Sequence, residues 1–330
     1  MYLDRQAPLT VVTPPGGGLL DGSLVGGLPG HVADRLSAAC GATGLRQVPA
    51  GSFKERSSNA WFRGGLRGEE VFVKLYARPE RAAADRLVAG SLAPGLAPRL
   101  LAGGHADGLG EYAVFRWQSL TPLPARPESA AEAGRLLAAV HDTDPPGPGA
   151  DGLAPRPPGG GQGTTALPVT EVGEEPFGKL IEALARQAPD LFAEVRGRLT
   201  GPEATALVRD ADQAAGRYPT VLLHGDFSLR NTARNHAGRP VVFDFERAGF
   251  GPAEHDLQRI WDRELAAIPG GHGIFTAAYR RARAHDPGPP DRIQLDYARL
   301  ACAVTTLTTA HRTHDTRFEA EGRKILEALT

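Results

Sequence analysis

The sequence predicts an α+β chain in two lobes, a small strand-rich lobe followed by a larger, mainly helical one. Three observations carry that reading. Strand-like runs with one helix among them fill the chain before residue 118. Helical texture dominates after Thr121. A compact β segment, Val221 to Phe245, interrupts the helices and carries Asp226, Asn231 and Asp244.

In chain order, residues 1–44 read as an N-terminal extension, punctuated by Gly and Pro, with a helical candidate at His31 to Cys40. The small lobe spans 45–117. Within it Trp61-Phe62-Arg63 is strand-like, Gly64-Gly65 reads as a turn, and Val71 to Tyr76 is the next strand. Pro79 to Leu92 reads as an Ala-rich helix with Pro in its first turn. Leu100-Leu101 and Tyr112 to Phe115 are further strands, separated by the turn-rich Gly103 to Gly110. The second lobe, 118–330, opens with a helix from Ala130 to Val140 that ends at His141. A Pro/Gly-rich stretch at about 144–164 has no periodicity and reads as a flexible surface insertion. Helices return over Phe177 to Leu199 and Pro202 to Ala215, and again beyond the β segment.

Composition narrows the function classes. The 330 residues carry a formal net charge of −1, which gives no basic surface for nucleic-acid phosphates. No apolar run is long enough to span a bilayer, and the first thirty residues lack the basic and apolar regions of a signal peptide. Cys40 and Cys302 have no metal-type spacing and read as reduced packing residues. The expectation is a cytoplasmic protein without nucleic-acid or membrane partners; a monomer and a homodimer fit equally. Of 37 basic residues only Lys54, Lys74, Lys179 and Lys324 are lysines. In a chain that uses Arg wherever either serves, a Lys inside an apolar strand needs a reason.

The segment Val221-Leu222-Leu223-His224-Gly225-Asp226 runs an apolar strand into a loop, and Asn231 follows Asp226 by five residues. A second apolar run, Val241-Val242-Phe243, ends in Asp244-Phe245-Glu246. Phosphoryl transfer needs such parts: a carboxylate to orient the attacking hydroxyl and accept its proton, and hard oxygen ligands for Mg²⁺. Two short strands are expected to place Asp226, Asn231 and Asp244 around one mouth; a merely structural hairpin is the bland alternative. Val71-Phe72-Val73-Lys74 has the texture of the protein-kinase strand whose Lys contacts the α- and β-phosphates. A solubility lysine on an edge strand is the competing reading.

On these residues the sequence resembles the aminoglycoside phosphotransferase family, within the wider group that includes choline kinases, from about Ser57 to Leu257. His224-Gly225-Asp226 to Asn231 looks like its catalytic loop, with Gly in place of the Arg of protein-kinase H-R-D. Asp244-Phe245-Glu246 stands where protein kinases have D-F-G. Asp256-Leu257 looks like an element whose Asp braces the catalytic loop, and Leu136 to His141 like the helix before the substrate-side insertion. The resemblance implies a bilobal protein-kinase-like fold with ATP, or GTP, in the cleft. It implies Asp226 as catalytic base, Asn231 and Asp244 as Mg²⁺ ligands, Lys74 on the phosphates, and a hinge near Phe115, Arg116 and Trp117 contacting the base.

The chain departs from the pattern in places. Glu55 to Asn59 is not G-x-G-x-x-G; Ser57 and Ser58 either donate to phosphate or cap a turn. The helix partner of Lys74, Glu in most relatives, is Asp85, with Glu80 as the alternative. Asp is one methylene shorter, which predicts a longer or water-bridged ion pair. The short stretch from Asp244 to Asp256 leaves little room for the activation loop of a protein kinase. The expected function is phosphorylation of a hydroxylated small molecule, an antibiotic of aminoglycoside-like, peptide or nucleoside type, as resistance or self-protection. The alternatives are a metabolite kinase acting on a choline- or sugar-like alcohol, and a regulator that binds nucleotide without catalysis. Asp262, Glu264, Asp286, Asp296, Asp315, Glu319 and Glu321 are candidates for an acidic pocket, though nearly as many arginines accompany them.

Overall fold

The computed structural model describes residues 30–48, 59–144, 167–214, 217 and 219–330. Ser57 and Ser58 lie outside these residues, as does the insertion from residue 145 on. The chain divides into two compact units. The first holds Met1–Pro124, Thr143–Leu167 and Arg230–Ala248; the second holds Ala125–Asp142, Pro168–Leu229 and Gly249–Thr330.

In the first unit, α1 (Gly30–Cys40) leads into β1 (Thr43–Gln47), β2 (Ala60–Leu66), β3 (Glu69–Tyr76), α2 (Pro79–Ser91), β4 (Leu100–Ala106) and β5 (Gly110–Arg116). The strands form one antiparallel sheet in the order β1-β2-β3-β5-β4. The β2–β3 hairpin closes through Arg67 and Gly68, with φ of 52° and 82°. Positive φ at both central residues is what a type I′ hairpin loop requires.

Gly64-Gly65 is therefore not the turn that the sequence suggested: β2 runs straight through it. A Cβ on Gly64 would sit 2.7 Å from both Leu45 Cδ2 and Thr43 O, so β1 approaches closer than any side chain would allow. The glycine serves proximity there, whereas the loop geometry sits three residues on.

Strand alternation decides where Lys74 points. Val71, Val73 and Leu75 face one side of the sheet, packed with Leu36, Phe62 and Val114. Each fully buried aliphatic or aromatic side chain of this kind stabilises by roughly 1.5–3 kcal/mol. The other side carries Phe72, Tyr76, Ala113 and Phe115 against Ala82 and Ala89 of α2. With a period of two, Lys74 falls on the α2 side. The unit is completed by a second sheet, β6 (Leu120–Pro122), β8 (Thr232–Asn235) and β9 (Pro240–Val242), in the order β6-β8-β9.

The second unit is mainly helical: α3 (Pro127–His141), α4 (Glu174–Gln187), α5 (Pro189–Leu199), α6 (Pro202–Ala214), α7 (Leu257–Arg263), α8 (Gly271–Ala282), α9 (Arg292–Thr313) and α10 (Thr316–Leu329). Prolines at the start of α2, α3 and α5 pre-set the first turn. Asp291 and Asp315 cap α9 and α10 through backbone amides. Leu300, Ala303, Val304 and Leu307 repeat at helical spacing and make α9 the spine of a core shared with Leu184, Leu191, Leu199 and Leu326. Gly134 lets α3 close on α8, since a Cβ there would lie 2.5 Å from Phe275 O. A short ladder, β7 (Val221–Leu223) with β10 (Gly249–Gly251), sits among these helices. Sequence patterning missed β1, β6 and β10, all short and the last glycine-ended. Among the described residues no helix is long and apolar enough to cross a membrane.

Candidate active site

Lys74 is buried, and an ammonium removed from water needs counter-charges. It has three. Its Nζ lies 3.0 Å from Asp85 Oδ2, 2.5 Å from Asp244 Oδ1 and 3.0 Å from Glu246 Oε2. The Asp85 pair is direct, neither lengthened nor bridged, because α2 packs tightly enough for the shorter side chain to reach. Glu80, the other candidate partner, stands exposed in the first turn of α2. Asp85 also accepts from the Tyr76 hydroxyl at 2.7 Å and from the Phe245 amide at 3.2 Å. A single carboxylate thus ties strand, helix and the Asp244-Phe245-Glu246 segment together.

The electrostatics follow from this crowding. Burial disfavours the Lys74 ammonium, but Asp244, Asp85 and Glu246 outweigh it and hold its pKa well above the usual lysine range. For Glu246 burial pushes upward, yet Lys74, Arg81 and Arg247 win and hold its carboxyl at about 2. Asp244 is raised, first by burial and then by repulsion from Glu246 and Asp85, against the pull of Lys74. Three carboxylates meet two cations in direct contact, Lys74 and Arg81, and Asp244 carries the imbalance. Its backbone is also constrained: φ is +73°, a left-handed conformation uncommon for a residue with a side chain, worth about 1–3 kcal/mol of strain.

The β8–β9 hairpin brings Asn231 alongside. Thr232 pairs with Val242, and the Phe243 amide donates to Asn231 O at 3.1 Å, so Asn231 and Asp244 emerge at the same end. Beside them a cleft is walled by Trp61, Phe72, Ala89, Phe115, Leu120 and Phe243, with Lys74, Asp85 and Asp244 at its polar side. Among the expected hinge residues, Phe115 and Arg116 line the cleft and Trp117 does not. The Trp117 ring lies under the Arg63 guanidinium, and its amide donates to Glu70 O. The Arg116 side chain turns away to an ion pair with Glu69. Gln118, which sequence reasoning passed over, also lines the cleft, and its Oε1 is buried without a hydrogen-bond partner. Glu246 was likewise missed as a partner of Lys74. Among the described residues no group of three or more His, Cys, Asp or Glu side chains is arranged to hold a metal ion by itself.

In the second unit, β7 delivers the loop that carries Asp226. Gly225 has φ +78°, a conformation that admits glycine and strains the arginine of the H-R-D pattern. Asp256 fixes the loop from below: its two oxygens accept the His224 and Gly225 amides, each at 2.7 Å. His141 Nε2 approaches the same carboxylate at 3.1 Å. The other ring nitrogen meets Tyr279 OH at 2.8 Å, and Arg283, which can only donate, holds that hydroxyl. Asp226 itself is paired: Arg259 Nε lies 3.0 Å from its Oδ1. No local pattern signals this contact, since Arg259 lies outside the loop, on α7.

The seven acids considered for an acidic pocket are all engaged. Asp262 and Asp296 pair with Arg299, Glu319 with Arg323, Glu321 with Arg263 and Asp286 with Arg280. Glu264 accepts the Leu229 amide, and Asp315 caps α10.

His255, next to Asp256, is buried, and its Nε2 has no hydrogen-bond partner. Burial lowers its pKa from 6.5 to about 4, against the pull of Asp256. The unfolded chain then binds the extra proton first as pH falls. Stability is complete above pH 6.5 and is lost between 6.5 and 4, by about 3 kcal/mol for a shift of this size. Denaturant unfolding of His255→Gln should show a shallower decline across that window than wild type; equal slopes would remove His255 as the cause.

A family profile described as "Phosphotransferase enzyme family" matches residues 52–301. No curated protein matches the chain. Among solved structures it is similar to a thermostable mutant of aminoglycoside phosphotransferase APH(4)-Ia in ternary complex with ADP and hygromycin B (15% identity, TM-score 0.57, 90% of this chain and 97% of that one). It is also similar to a choline/ethanolamine kinase family protein from Mesorhizobium loti (17%, 0.55, 91% and 92%). A third likeness is to the macrolide 2'-phosphotransferase MphH from Brachybacterium faecium (18%, 0.51, 91% and 98%). Those likenesses carry the protein-kinase-like fold, and with three quarters of its length inside the family profile the chain belongs to the phosphotransferase enzyme family.

Proposed function

We propose that this phosphotransferase is an ATP- and Mg²⁺-dependent kinase of a hydroxylated small molecule, with Asp226 as the base. The observation that carries it is the buried Lys74 network at the polar side of an apolar cleft, with Asn231 and Asp244 emerging beside it. A planar purine suits the walls formed by Phe72, Phe115 and Phe243. The likeness to a structure solved with ADP supports a nucleotide in that cleft.

Each residue has a task in this reading. Lys74, held protonated by its carboxylates, is a fixed positive charge for the α- and β-phosphates. Asn231 and Asp244 offer hard oxygen donors and are the residues that would hold Mg²⁺. The ion supplies neutralisation of the nucleotide phosphates when bound, with further ligands from water and phosphate. The charge imbalance on Asp244 fits a cation there. Asp226, on a loop made rigid by Asp256, accepts the proton of the acceptor hydroxyl and aligns its oxygen. The likenesses to enzymes named for aminoglycosides and macrolides support an antibiotic as acceptor and a cytoplasmic resistance role. Likeness to a choline/ethanolamine kinase family protein favours the second reading, a metabolite alcohol.

Asp226→Ala should lower kcat by about 10²–10⁴-fold while nucleotide affinity is kept; a variant with more than half of wild-type kcat ends the assignment. Asp244→Ala should instead move the midpoint of a Mg²⁺ titration of activity upward, and an unchanged midpoint excludes Asp244 as a ligand. For the acceptor, expression in a susceptible host should raise resistance to one antibiotic class, with a phosphoryl adduct seen by mass spectrometry. Unchanged susceptibility together with efficient phosphorylation of a common cellular alcohol decides for the metabolite.

A further inference from the structure

Arg259 is a cation of the second unit held beside Asp226. It is about nine-tenths buried, 12% exposed, and meets the equally buried Asp226 through Nε, 3.0 Å from Oδ1. Among the described residues it makes no other ion pair, so both terminal nitrogens, with four N–H donors between them, remain for another group. Its neighbours differ. Arg263 is taken by Glu321 and the Thr306 hydroxyl, and Arg299 spans Asp262 and Asp296. Burying a guanidinium costs free energy unless its donors are met, and a planar fork is matched by an oxyacid.

Resting on the kinase reading above, we propose that Arg259 binds an anionic oxygen group, carboxylate or phosphate, on the acceptor. The acceptor hydroxyl lies at Asp226, and the Nε contact fixes the guanidinium beside it. A polycation is disfavoured twice: Arg259 repels it, and the carboxylates of α7, α9 and α10 that would receive it are already paired with arginines or amides. The acceptor is therefore an acidic alcohol rather than an aminoglycoside.

The test is thermal stability of the full chain in saturating Mg·ADP at constant ionic strength, which needs no turnover. Glycerate, glycerol 3-phosphate, glycerol and hygromycin B are titrated against wild type, Arg259→Gln and Arg259→Lys. Expected is a saturable rise in Tm with glycerate or glycerol 3-phosphate, the stronger of the two telling carboxylate from phosphate. The apparent affinity should fall about 10- to 100-fold in Arg259→Gln and recover in part in Arg259→Lys. A merely structural role would shift all four titrations alike. The proposal is overturned by the absence of a saturable shift with either anion, by a shift that survives in Arg259→Gln, or by stronger stabilisation from hygromycin B. Failure of the kinase reading is visible separately, as the absence of any shift with Mg·ADP itself.

Discussion

One buried ammonium organises the first unit. Lys74 must be paired because β3 carries it into an apolar layer, and its three partners come from two separate stretches of chain. Asp85 rides on α2, while Asp244 and Glu246 follow β9. Removing Lys74 would leave those carboxylates to repel one another at low dielectric, so the strand, the helix and the segment after the hairpin depend on one charge. Asp85 adds a mechanical link, since the oxygen not facing Lys74 accepts the Phe245 amide. The left-handed backbone at Asp244 is tolerable because the residues on either side of the bond are held.

The second unit solves a comparable problem with a carboxylate at its centre. Asp256 is almost fully buried and is satisfied by two loop amides and His141. The relay through Tyr279 to Arg283 lets the compensating charge sit nearer the surface. Rigidity of the Asp226 loop thus rests on backbone donors, which no substitution within the loop other than proline removes.

Much of this was legible in the sequence where chemistry and pattern coincide. The scarcity of lysine made Lys74 conspicuous, and the Asp/Asn spacing singled out the Asp226 loop before any geometry. Helices with proline starts and regular apolar spacing were readable for the same reason. What stayed hidden depends on contacts between distant residues. Gly64-Gly65 looks like a turn in one dimension and proves to be a crossing point of strands. The choice between Asp85 and Glu80 needed the face of α2 that packs on the sheet. Glu246 and Arg259 gave no local signal, because an ion pair formed across the fold leaves no spacing to recognise.

The burial of Lys74 also shapes how the protein can be handled chemically. Amine-reactive reagents attack the unprotonated form of exposed lysines. Lys74 is shielded and held protonated, whereas Lys179 and Lys324 stand exposed on α4 and α10. Among the described residues, acylation, fluorescent tagging or immobilisation through lysine will therefore attach to the second unit and spare the cleft beside Lys74. A chain that carries almost all its positive charge on arginine has, as a side effect, few and well-placed handles.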